Sequence, residues 1–68
     1  MTTGSAPLGA DELEVLRAMS VGDPLRRIAR DLNISERTVR RRIRVACEGL
    51  DVDTPIEAVV LAVRNGWI

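Results

Sequence analysis

The sequence predicts an all-α domain of four short helices, and three observations carry that prediction. Apolar residues recur at three- and four-residue spacing in four separate segments. Helix-starting residues or turn formers stand between those segments, and nothing reads as a strand. Phe and Tyr are absent and Trp67 is the sole aromatic, so the core must be aliphatic. Sixty-eight residues make one domain, and chains of this size bury only about 60% of their unfolded surface, which leaves a thin core.

The chain opens with MTTGSAPLGA, small, polar and turn-forming. Residues 1–7 are expected to be a flexible tail or linker, with a single folded domain over 8–68. The first helix is predicted over residues 10–20, where Asp11, Glu12 and Glu14 favour the positive end of the helix dipole. Leu13, Leu16 and Ser20 face its core, with Val15 and Met19 at the flanks. Gly22 and Asp23 break the pattern.

The second helix is predicted over 24–32, with Pro24 in its first turn. Leu25, Ile28, Ala29 and Leu32 form its apolar stripe, and Asn33 closes it in a left-handed conformation. Ile34 is a buried plug and Ser35 an N-cap for the third helix, over 36–49. Val39, Ile43, Ala46 and Leu50 form the buried face of that helix. Arg37, Arg40, Arg41 and Arg44 fall opposite, between about 100° and 200° from Val39 on a helical wheel. Arg42 lies at the core edge and is expected to snorkel outward.

Thr54-Pro55-Ile56-Glu57 joins an N-cap, a first-turn proline and a capping-box glutamate, starting a fourth helix over 55–65. Ile56, Val59, Val60 and Val63 are expected to face the core, with Ala58, Leu61 and Ala62 on the other side. A helix apolar almost all round wants a second partner besides its own core.

Several functional classes are excluded early. One cysteine, Cys47, and no histidine leave neither an internal disulfide nor a zinc site. No Ser-His pair and no glycine-rich phosphate loop is present, so the chain is read as no enzyme, with no cofactor and no metal. No apolar run approaches the roughly 20 residues of a membrane span, and no signal-peptide core follows Met1. A cytoplasmic location is expected.

Net charge is zero, yet its distribution is not even. Residues 26–44 hold eight arginines against Asp31 and Glu36, a net +6; the rest holds two arginines and eight acids, a net −6. A merely solvated helix face would mix signs, whereas residues 37–44 contain five arginines and no acid. Arginine suits bidentate contact with phosphates and guanine edges. Two helices around a three-residue turn, IARDLNISERTV, form a helix-turn-helix whose second helix can enter a DNA major groove.

From Leu8 to Ile68 the chain resembles the LuxR/FixJ/NarL-type DNA-binding domain of bacterial transcription regulators. The resemblance rests on L-x-x-x-E-L-E-V-L-R over Leu8–Arg17, on Gly22, and on I-A-R-D-L-N-I-S-E-R-T-V-R over Ile28–Arg40. Gly49-Leu50 with Val52, and E-A-V-x-x-A over Glu57–Ala62, extend it. It implies a sequence-specific regulator that inserts the third helix into the major groove of double-stranded DNA. By matched position, Arg40, Arg41 and Arg44 face base edges, while Arg37, Thr38 and Arg42 contact the backbone. Arg26 is placed to reach phosphate. The fourth helix implies a homodimer, for which Ala58, Leu61 and Ala62 are the expected contacts, and RNA polymerase is a further implied partner.

Two stretches depart from the family pattern. Gly9-Ala10 replaces the usual Thr-Pro start of the first helix, and Pro24-Leu25-Arg26-Arg27 replaces Ser-Asn-Lys-Glu. Target sequence therefore cannot be carried over from relatives. Two rival readings stand beside this one. A helix-turn-helix acting by protein contact through the fourth helix, as an accessory or anti-regulator, would bind without salt sensitivity. A recombinase or sigma-type module would need catalytic or polymerase-binding segments absent here.

Overall fold

A computed structural model describes residues 7–68 of the chain. The tail expected over residues 1–7 lies outside the described residues except for Pro7. Four helices follow in order: α1 Ala10–Ser20, α2 Leu25–Leu32, α3 Glu36–Leu50 and α4 Pro55–Arg64. No strand occurs among the described residues.

Local chemistry accounts for the boundaries. Gly9 has no side chain with which to cap α1, so Glu12 supplies half of the box: its Oε1 accepts the Gly9 N–H at 2.9 Å. Gly22, at φ 87°, turns the chain out of α1, a conformation open to glycine at little cost. Pro24 stands one position before α2 in extended backbone, φ −71° and ψ 156°, rather than inside its first turn. Asn33 ends α2 at φ 58°, as its side chain tolerates. Ser35 Oγ then accepts the Thr38 N–H at 3.0 Å and starts α3.

At α4 the capping box is complete. Thr54 Oγ1 accepts from Glu57 N at 3.3 Å, and Glu57 Oε1 accepts from Thr54 N at 3.0 Å. Thr54→Ala removes one half of that exchange and is expected to cost about 1 kcal/mol. Thermal unfolding should then fall by roughly 4–8 °C for a domain this small; an unchanged midpoint would show the cap to be dispensable.

The core is two clusters joined through Met19. Val15, Ile28, Ala29 and Val39 fill the space under the helix-turn-helix, with Ile34 and Ile43 packed against them. Leu16, Ala46, Ala58, Val59 and Ala62 fill the space between α1, α3 and α4, closed by Leu8, Leu50, Val52 and Trp67. In α1 the buried pair is Val15 and Leu16; Leu13 is half-buried and Ser20 is exposed. Ser20 is not on the core side as expected, and its hydroxyl donates to the Arg17 carbonyl at 2.6 Å.

The expected orientation of α4 is reversed at its centre. Ala58 and Ala62, assigned above to an outward dimer contact, are fully buried. Ile56, Val60 and Val63, assigned to the core, are exposed. Small residues face inward because α4 lies against both α1 and α3, where Ala46 is also fully buried, and bulky side chains would hold the helices apart. Ranking residues by hydrophobicity alone favours the larger ones for the core, and that is the source of the error. Val59 is buried as expected, and Leu61 is half-buried.

Candidate nucleic-acid interface

The three residues Asn33, Ile34 and Ser35 separate α2 from α3. Ile34 sets the angle between the helices: its side chain packs on the Val15–Ile28–Val39 cluster and its N–H donates to the Ala29 carbonyl at 2.9 Å. Val39 is fully buried and Ile43 packs beside it, so α3 is held by one edge. Its other edge projects from the domain and carries the arginines.

Arg37, Thr38, Arg40, Arg41 and Arg44 line one depression on that edge. All four arginines are exposed. Thr38 Oγ1 accepts the Ser35 hydroxyl at 2.9 Å, leaving its own hydroxyl proton free to donate.

Ion pairs sort the basic residues further than sequence alone could. Arg37, Arg41, Arg44 and Arg26 have no acidic partner within salt-bridge distance among the described residues. Arg40 Nη2 lies 3.5 Å from Glu36 Oε1, one turn earlier. So exposed a pair is worth less than about 1 kcal/mol and yields readily to a stronger anion. On α2, Arg27 stands between Asp23 at 3.9 Å and Asp31 at 3.8 Å, and Arg30 is 3.5 Å from Asp31. Those pairs are no shorter than that of Arg40 and comparably exposed, so they are equally weak, and Arg26 is the α2 arginine without a carboxylate partner among the described residues.

Arg42 takes a different path. Its side chain is only 21% exposed, and Nη2 lies 3.7 Å from Asp11 Oδ2 at the start of α1. It snorkels along the core edge, as its wheel position implies, but ends on a carboxylate of another helix. No local spacing could have shown this, because Asp11 and Arg42 are thirty-one residues apart in the chain.

Cys47 is half-buried and bordered by Glu48 and Glu57. Burial, with those carboxylates, raises its thiol pKa and disfavours the nucleophilic thiolate. No cluster of residues suited to a metal ion occurs among the described residues. Nor is any helix there long and apolar enough to cross a membrane.

At α4, Val52, Ile56, Val60 and Leu61 line a shallow apolar groove bounded by Glu57 and Arg64. The face of α4 left outside is therefore Ile56, Val60 and Val63, with Leu61 at its margin.

A three-residue turn, a plugged hairpin and an arginine-rich edge on the second helix define a helix-turn-helix DNA-binding domain. Comparison with known proteins agrees. Residues 6–62 match the family described as bacterial regulatory proteins, luxR family. The transcriptional regulatory protein DegU of Brevibacillus brevis is 37% identical over 57 residues, 84% of this chain and 24% of that protein. The transcriptional regulatory protein DesR of Bacillus subtilis (strain 168) is 38% identical over 61 residues, 90% of this chain and 31% of that protein. The chain belongs to the luxR family of bacterial regulatory proteins. It spans about a quarter to a third of the length of the curated relatives it matches.

Proposed function

We propose that the chain binds double-stranded DNA sequence-specifically to regulate transcription in the cytoplasm, with α3 in the major groove. The carrying observation is the exposed edge of α3, where Arg37, Arg41 and Arg44 stand without carboxylate partners among the described residues. Arg40, Arg41 and Arg44 take base edges, and Arg40 exchanges Glu36 for its target. Arg26, Arg37 and Thr38 take the phosphate backbone. Arg42 lies along the core edge, where it can meet phosphate only by leaving Asp11. RNA polymerase is the partner a transcription regulator ultimately addresses.

The active unit is proposed to be a homodimer formed through α4. Ile56, Val60 and Val63, with Leu61, replace the buried alanines as the contact. Two-fold dimers bind inverted half-sites about one helical turn apart or a multiple. The same apolar face favours the rival reading, in which the domain acts chiefly by contacting another protein.

Selection of bound duplexes from random DNA, repeated at two salt concentrations, separates the two. The expected result is an enriched inverted repeat whose binding weakens about linearly with salt on a log–log plot, with a slope of several units. Absence of any enriched sequence, with salt-insensitive capture of a protein partner, would contradict DNA binding and favour the accessory role.

A further inference from the structure

One side chain on α3 fits neither the core nor the charged edge. Val45 is 42% exposed and belongs to neither hydrophobic cluster. It stands one turn beyond Arg41 and next to Arg44. On the helical wheel it lies only about 40° from Arg41 and about 120° from Val39. Valine is a weak helix former, because its branched Cβ loses rotamer freedom against the preceding turn. An exposed position that merely needed solvating is better served by the arginine used elsewhere on this helix. Among the described residues it is the one large aliphatic exposed on α3; the others, Val21, Ile56, Val60 and Val63, lie before α2 or on α4.

We propose that Val45 is a specificity-determining residue that packs on the C5-methyl group of a thymine in the half-site. The proposal rests on the major-groove placement of α3. The chemistry is that of the groove floor: thymine alone of the four bases presents a methyl group there, and aliphatic side chains read it by apolar contact. Arg41, about 40° away and one turn earlier, takes a base edge in that placement, so the aliphatic group flanking it on the side away from Arg44 meets the neighbouring base pair. Cytosine at that position offers an amino donor instead, which Val45 cannot satisfy and would bury unpaired.

The test uses the selected duplex with each thymine replaced singly by deoxyuridine, which removes the methyl group and keeps the base pair. Affinity of the chain should fall about three- to fivefold at one thymine per half-site, the value of burying one methyl group. Val45→Ala should bind more weakly to the parent duplex and lose nothing further at that deoxyuridine. Its thermal midpoint should not drop, since the site is exposed and alanine is the better helix former. A wild-type chain indifferent to every deoxyuridine overturns the proposal, as does a Val45→Ala variant with undiminished deoxyuridine sensitivity. A selected half-site without thymine overturns it too. Arg41→Ala run in parallel tells the two levels apart. If Arg41→Ala alters base preference while deoxyuridine has no effect, only the role of Val45 fails. If neither variant changes any preference, the placement of α3 fails with it.

Discussion

Leu16→Ala is expected to remove most of the stability of the domain. Leu16 is fully buried at the junction of α1, α3 and α4, against Ala46, Ala58, Val59 and Ala62. Those neighbours are mostly alanines, too short to close over a missing isobutyl group, so the cavity stays open. Truncations of this kind cost about 2–5 kcal/mol. A domain of this length has roughly 3–10 kcal/mol in total. Urea unfolding followed by Trp67 fluorescence reports on this cluster, because Trp67 packs against it. The midpoint should move sharply toward lower urea with an unchanged slope. A variant that unfolds at the wild-type midpoint would mean that the contacts around Leu16 do not hold α4 in place.

Arg41→Ala should change which DNA is bound, where Arg26→Ala changes only how tightly. Arg41 is exposed on the α3 edge and has no ionic partner among the described residues, and the proposed role for it is a bidentate pair with guanine O6 and N7. Loss of one such pair removes about 1–3 kcal/mol of discrimination, roughly 5- to 150-fold at a single base pair. Arg26, exposed on α2 and without a carboxylate partner among the described residues, is proposed to meet phosphate, which is identical at every sequence. Its removal should weaken all duplexes alike and reduce the salt slope by about one unit. Binding titrations on the selected site and its single-base variants check both. Equal proportional losses from the two substitutions would contradict the division of roles.

Local chemistry made much of the architecture legible in the sequence. Ser35 and Thr54 mark the starts of α3 and α4, Asn33 the end of α2, and Gly22 the end of α1; the helices lie where those residues put them. The arginine edge of α3 was equally readable, because Val39 and Ala46 fix which side is buried.

What failed depended on contacts between helices. The facing of α4 hangs on how near it comes to α1 and α3, and close approach selects Ala58 and Ala62 over Ile56 and Val60. An almost uniformly apolar helix has little amphipathic signal to decide that. The pairing of Arg42 with Asp11 joins helices distant in sequence, so spacing is silent about it. Within α3 the wheel placed the five arginines, but only the structure shows that Glu36, Asp11 and the open solvent divide them into three kinds.

Arginines of α3 are proposed to read bases from the major groove. Single replacement of guanines by 7-deazaguanine tests that role most directly, since this removes the N7 acceptor of the major groove and leaves base pairing and the minor groove intact. On the selected duplex, binding should fall by about tenfold at one or more guanines in each half-site. At the guanine read by Arg41, the Arg41→Ala variant should lose nothing more. Full-strength binding to every 7-deazaguanine duplex would mean that no arginine of α3 reads guanine from the major groove.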